Sequence, residues 1–157
     1  MKWKLKKFIV KILRMNNTPH EIALGIAIGV FIGILPVYGF HTILFLIAIA
    51  TIRRVNKIAV LAGTNISLPP TVPIITWTAY DIGRIVFWGK YDPLTWSDFK
   101  NISFASIRSR YLPLFVGSLI LGALCAVFFY YLVYFVTKRI MKKRADAKRE
   151  HHERKKV

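Results

Sequence analysis

Polar side chains that could do chemistry are concentrated at two interruptions of long uncharged stretches. His41 and Thr42 follow the first interruption, and Asn65, Ser67 and Thr71 lie around the second. No serine, aspartate or cysteine beside His41 completes a nucleophilic set, so we predict no catalytic centre. Interrupted helices expose backbone N–H groups at their N-terminal ends, and such ends attract anionic groups. The pattern therefore favours binding of an anion over catalysis.

Metal and disulfide chemistry find little support in the sequence. His151 and His152 lie between Glu150 and Glu153, but no distant ligand completes a metal site. Cys125 is the single cysteine, which excludes an intrachain disulfide. We predict that the protein uses neither a metal nor a cofactor.

The positive charge of the chain is concentrated at its two ends. The 157 residues carry a formal charge of +17, of which residues 1–17 supply +6 and residues 138–157 supply +7. No nucleic-acid recognition motif accompanies these lysines and arginines, so we predict no specific nucleic-acid partner. Excess Lys and Arg beside an apolar segment are instead typical of the cytoplasmic side of a membrane.

Three long stretches without charged residues separate the basic ends. They cover 31, 23 and 27 residues, at Ile22 to Ile52, Ile58 to Tyr80 and Tyr111 to Thr137. A helix of about 20 apolar residues spans the roughly 30 Å hydrocarbon core of a bilayer. Each stretch is therefore long enough to enter a membrane.

Prolines and glycines interrupt the first two stretches. Pro36 and Gly39 divide the first into two arms of about 14 residues, each roughly 21 Å long if helical. Pro69, Pro70 and Pro73 divide the second. Non-helical backbone at membrane depth must be buried in protein or line a cavity. These breaks are thus the expected positions of a binding site.

A stripe of small residues occupies one face of the first arm. Gly25, Gly29 and Gly33 recur every fourth residue, the spacing that lets a second helix approach closely. A phosphate-binding loop is not supported, because no lysine follows these glycines at the required position and their repeat is helical. We interpret the stripe as a helix-packing surface.

These features predict an all-α integral membrane protein. We expect an N-terminal amphipathic interfacial helix over residues 1–17, a single membrane domain over 18–137 and a basic cytoplasmic tail over 138–157. The domain would hold two Pro/Gly-broken helical segments of the re-entrant hairpin type and one full C-terminal transmembrane helix. If both termini are cytoplasmic, the chain must cross the membrane an even number of times, so the second broken segment has to cross it. The alternative is a second complete hairpin, which would leave the C-terminus outside.

Two motifs stand out in the chain. The first runs from Pro19 through Ile22 to Thr42 and on to Arg54-Val55-Asn56; the second is Thr64 to Thr71 followed by Tyr80 to Gly83. Together they resemble a bacterial family of small inner-membrane proteins, the domain of unknown function 2062. Leu68 and Pro70 depart from the Ser-Asn-Pro-Leu-Thr pattern usual in the second motif. The resemblance implies location in the bacterial inner membrane. Fusion of some relatives to glycosyltransferase-like domains implies a connection with envelope lipids or glycan carriers.

From the breaks and charges we expect binding or translocation of an anionic envelope lipid, of the phospholipid or polyprenyl phosphate type. The residues expected to act are His41, Thr42, Asn65, Ser67, Thr71, Asp81, Arg84, Arg53 and Arg54. The alternative is a non-transporting scaffold or partner subunit that anchors an envelope lipid or glycan synthesis enzyme, such as an envelope glycosyltransferase, through the glycine stripe and basic ends. Either role is compatible with a homo-oligomer.

Overall fold

The computed structural model describes residues 17–36, 40–52, 55–65, 71–95 and 104–154. The prediction of an all-α protein is confirmed over these ranges, which contain helices and no strand. The interfacial helix expected over residues 1–17 lies outside them except for Asn17. The helices are α1 (Pro19–Ile34), α2 (His41–Thr51), α3 (Lys57–Thr64), α4 (Val72–Val86) and α5 (Phe104–Arg154).

A capping box begins α1. The Thr18 hydroxyl accepts the N–H of Glu21 at 3.2 Å, and the Glu21 carboxylate accepts the N–H of Thr18 at 2.8 Å. Pro19 occupies the first turn, where its missing N–H costs no intrahelical bond. This start follows from the Thr-Pro-His-Glu sequence alone.

Two glycines of α1 face α3 of the same chain. A Cβ atom on Gly29 would overlap the Val60 carbonyl and lie 2.8 Å from the Cα of Gly63. A Cβ on Gly25 would lie 2.8 Å from both the Ala59 Cβ and the Asn56 carbonyl oxygen. The two backbones therefore touch, which only glycine permits.

Asn56 joins the starts of α1 and α3. Its backbone N–H donates to the carbonyl of Glu21 at 3.3 Å, and its Oδ1 accepts the Ala59 N–H at 2.9 Å as an N-cap. The residue is only 2% exposed. Since Asn56 neighbours Gly25 and Gly63 neighbours Gly29, α1 and α3 run parallel. The intervening α2 must therefore carry the chain back.

The second close crossing joins α4 to α5. A Cβ on Gly83 would overlap the Pro113 carbonyl, and one on Gly117 would overlap the Ala79 carbonyl. Because Ala79 precedes Gly83 while Gly117 follows Pro113, the two helices are antiparallel. Pro113 lies inside α5 and is buried at this crossing.

Helix α1 is also antiparallel to α5. The ring of Phe31 lies against Gly122, and His20 Nδ1 is 2.7 Å from the Tyr130 hydroxyl. Consequently α1, α3 and α4 all point the same way relative to α5. In the second broken segment α4 continues in the direction of α3 instead of turning back, which is the direction that a broken crossing requires.

The last helix is much longer than the expected transmembrane segment. It has 51 residues, about 77 Å at 1.5 Å per residue, and continues through the domain boundary predicted at residue 138. Its part Arg110–Ala147 is long and apolar enough to cross a membrane, the one such helix among the described residues. Only 22% of its most apolar window is buried within the chain. Helices α1 and α2 are apolar but shorter.

Candidate functional site

Both broken segments open onto one cavity of about 320 Å³. The first contributes the end of α1 with Pro36, and also His41, the first residue of α2. The second contributes Thr64, the last residue of α3, and the first half of α4. Leu114 of α5 closes another side. Four helix ends from distant parts of the sequence therefore meet at one place.

The helix ends give the cavity an uneven electrostatic character. Helices α2 and α4 begin at its wall and direct positive dipole ends towards it, whereas α1 and α3 end there with negative ones. The first turn of any helix has N–H groups without intrahelical partners. Phe40, the residue before α2, has no polar side chain with which to cap them. An anionic group is thus best accommodated on the side of α2 and α4.

Few polar side chains line the cavity. They are His41, Thr64 and Thr76, and the rest of the described lining is apolar or glycine. The Thr64 hydroxyl donates to the Leu61 carbonyl at 2.8 Å, within its own helix. Such a lining suits a small polar headgroup with an attached apolar chain better than a highly charged solute.

Of the residues expected to act, His41 lies on the cavity wall and several others do not. Thr42 follows it on α2 with an exposed side chain. The Asn65 amide donates to the Leu61 carbonyl at 2.8 Å, so it completes the end of α3. Thr71 directly precedes α4 and is half-buried beside Val72, which does line the cavity.

The charged pair expected near the site lies elsewhere on α4. Arg84 Nε is 3.7 Å from Asp81 Oδ1, and both side chains are about one-third exposed. Neither belongs to the cavity lining, because α4 leaves the cavity wall at Ala79. A pair that is one-third exposed, at this spacing on one helix, contributes little to stability.

Some of the predicted residues lie outside the described part of the chain, and the structure gives the positions of others. Outside it lie Gly39, Arg53, Arg54, Ser67, Pro69 and Pro70. Pro73 is in the first turn of α4, and Gly33 lines the cavity. The described lining contains no lysine or arginine, so it supplies no cationic side chain for an anionic ligand.

Sequence reasoning did not select Thr64 and Thr76 as wall residues. Thr64 lies next to the second break in the sequence, and this position could have identified it as a residue of the cavity wall. Thr76 reaches the cavity only because α4 packs against α5 and near α1, so nothing local to Thr76 marks it. The crossing glycines Gly63, Gly83 and Gly117 likewise have partners far away in the sequence.

Over the described residues, the fold and the cavity define a small all-helical protein with one candidate membrane-spanning helix and a cavity between broken helices. Residues 2–146 match the model of a family described as an uncharacterized protein conserved in bacteria, DUF2062, and the chain belongs to that family. The expected family is thereby confirmed. No curated protein and no solved structure matches the chain.

Proposed function

We propose that this protein binds an anionic envelope lipid, of the phospholipid or polyprenyl phosphate type, and carries its headgroup between leaflets of the bacterial inner membrane. One observation carries the proposal: both broken segments converge on a single cavity of about 320 Å³. Interrupted helices that meet within a membrane are a recurrent way to build a substrate site, because their ends present unpaired backbone groups.

The register of α1 along α5 supports a cavity at membrane depth. The uncharged part of α5 runs from Tyr111 to Thr137, about 40 Å of helix. His20, at the start of α1, pairs with Tyr130 near the basic end, whereas Phe31 packs at Gly122, near the middle. If α5 spans the bilayer, α1 enters from the basic side and ends inside it.

The path of the remaining helices supports two crossings. Helix α2 returns the chain to Asn56, next to the start of α1, and α3 then runs inward again. Helix α4 continues in that direction to the level of Pro113, the other end of the uncharged stretch. In this arrangement α1 and α2 form a re-entrant pair, α3 and α4 form a broken crossing, and both termini are cytoplasmic.

Within the site, the first turns of α2 and α4 would hold the phosphate, and His41 and Thr76 would contact the headgroup. The apolar remainder of the lining would accept the beginning of the lipid chains. Arg53, Arg54 and Ser67 stay predicted contributors. Asp81 and Arg84 are left out of the site because they lie away from the cavity wall.

Lipid movement in reconstituted vesicles tests the proposal. Vesicles with the purified chain should move labelled phosphatidylglycerol or labelled polyprenyl phosphate faster than empty vesicles, and the two labels separate the lipid classes. Thr76→Phe should abolish the excess rate because it fills the cavity. Thr78→Phe is the matched control, since Thr78 is exposed on the same helix. Leu114→Phe repeats the test from α5. Rates equal to empty vesicles for both lipids would contradict the proposal.

The alternative is a non-transporting scaffold for an envelope glycosyltransferase, and one observation favours it. Helix α2 has no buried residue, and Ile43, Leu46 and Ile47 form an exposed apolar face on it. A partner or a second copy would use this face, since α3 already covers Gly25 and Gly29. Inactive vesicles, combined with loss of a co-purifying glycosyltransferase on Leu46→Glu, would select the scaffold.

A further inference from the structure

A tryptophan occupies the place in the ending of α4 that normally belongs to glycine. The Gly89 N–H donates to the Arg84 carbonyl at 2.9 Å, and the Trp88 N–H donates to the Ile85 carbonyl at 3.0 Å. These two bonds define a Schellman ending, whose first residue beyond the cap adopts the left-handed conformation. Here that residue is Trp88, with φ of 56°.

The conformation of Trp88 is unfavourable for a bulky side chain, and packing within the described chain does not compensate for it. Among the described residues, no other non-glycine has a positive φ. The side chain is 97% exposed. Strained backbone at an exposed site points to a role for the side chain outside the fold.

The turn that presents Trp88 is well braced. Phe87 and Tyr91 on either side of it meet edge to face, with ring centroids 5.7 Å apart. Just beyond, the carbonyl of Asp92 accepts a 2.8 Å hydrogen bond from the hydroxyl of Tyr80, a residue only 1% exposed. The indole therefore projects from a fixed platform.

The packing of α4 on α5 determines the position of Trp88 along the axis of α5. Gly83 contacts Pro113, which is close to Tyr111 at the N-terminal end of the uncharged stretch. Trp88 lies just beyond this level, after the exposed apolar residues Ile85 and Val86 and before the exposed Lys90. Apolar residues, an indole and a lysine in this order match the change from acyl chains to headgroups to water.

We propose that Trp88 is an interfacial anchor that inserts its indole into the lipid headgroup region at the membrane face opposite the basic end of α5. The left-handed backbone aims the ring away from the protein, and the ring fixes the depth of the α4 end. Such an anchor requires the proposed crossing by α3 and α4, but it does not depend on lipid binding in the cavity.

Depth-dependent fluorescence quenching tests the anchor. The full chain with Trp3→Phe, Trp77→Phe and Trp96→Phe retains Trp88 as its one tryptophan and is reconstituted into phosphatidylglycerol-containing vesicles with lipids brominated at shallow or deep acyl positions. We expect stronger quenching by the shallow bromines and emission at shorter wavelength than that of free tryptophan in water. Emission like that of free tryptophan, with no bromine quenching and full access to acrylamide, would overturn the anchor.

A deep control distinguishes failure of the anchor from failure of the membrane crossing. Leu124→Trp in a chain whose four native tryptophans are phenylalanine places the probe on an exposed position in the middle of the uncharged part of α5. Deep quenching there with a water-exposed Trp88 rejects the anchor alone. Absence of quenching at both positions rejects the anchor together with membrane insertion.

Substitution by glycine separates anchoring from a structural role. Trp88→Gly suits the left-handed conformation, so we expect an unchanged or higher unfolding temperature in detergent. A lower unfolding temperature would mean that the indole supports the fold, and this result would also overturn the proposal.

Discussion

The backbone N–H of Asn56 donates to the carbonyl oxygen of Glu21 at 3.3 Å, which returns the chain to the start of α1 after α2. Together with the contact between Gly83 and Pro113, this hydrogen bond shows which helix ends lie at each end of the helical bundle. The starts of α1 and α3 share one end with the basic part of α5. The end of α4 lies at the other.

The first prediction concerns the sides of the membrane. The test uses a chain with Cys125→Ala and one introduced cysteine. Lys57→Cys should react with an impermeant thiol reagent only in inside-out vesicles, because Lys57 begins α3 at the end of the bundle that contains the basic part of α5. Lys90→Cys, just after α4, should react in right-side-out vesicles. Both parent side chains are exposed, so access is comparable. Labelling of both cysteines from the same side would instead support a second re-entrant hairpin.

The second prediction concerns the two backbone crossings. Gly29→Ala and Gly83→Ala should each lower the free energy of unfolding by about 1–3 kcal/mol, the usual cost of overpacking. A Cβ at either position overlaps a backbone carbonyl, which cannot rotate away. Gly122→Ala is the control: its Cβ would lie 3.1 Å from the movable Phe31 ring, so its cost should be smaller. Equal effects on unfolding in detergent would argue against the close crossings.

The third prediction concerns the cap of α3. Asn56→Ala should destabilise the fold by about 1 kcal/mol because the Ala59 N–H loses its side-chain acceptor. Asn56→Ser keeps an oxygen that can cap the helix and should recover part of the loss. Chemical unfolding followed by circular dichroism measures both variants. A serine variant no more stable than the alanine variant would show that capping is not the role of Asn56.

The fourth prediction concerns the contact between His20 and Tyr130. The Nδ1 atom of His20 and the hydroxyl of Tyr130 are 2.7 Å apart, although the two residues are 110 positions apart in the sequence. Tyr130→Phe retains the ring and removes the hydrogen bond, so we expect a loss of about 0.5–1.5 kcal/mol. A double-mutant cycle with His20→Ala should give a coupling energy of similar size. Additive effects of the two substitutions would mean that the contact contributes nothing to holding α1 on α5.

Local features of the chain could be predicted from the sequence without knowledge of the fold. The capping box at Thr18 and Glu21 depends only on residues three apart, and both of its hydrogen bonds are present. Proline lacks an N–H and opposes helix continuation, so the region around Pro36 had to separate two helices. The absence of charge over Tyr111 to Thr137 marked the candidate membrane span in the same way.

The partners of these local elements depended on long-range packing. The repeat of Gly25 and Gly29 indicates that some helix approaches, but that α3 does so follows from the return of the chain to Glu21. The direction of α4 after the second break was equally open, since prolines end a helix without specifying where the next one points. Contact with Pro113 and Gly117 determines that direction.

The cavity shows the same division between local and tertiary information. Sequence determined the two breaks, because proline and glycine act on their own backbone, and it placed His41 beside one of them. Only the tertiary structure decided that Thr64 and Thr76 share a wall with His41 while Asp81 and Arg84 do not. A cavity wall is assembled from helix faces whose relative rotation is set by side-chain packing between segments, and no single segment encodes that rotation.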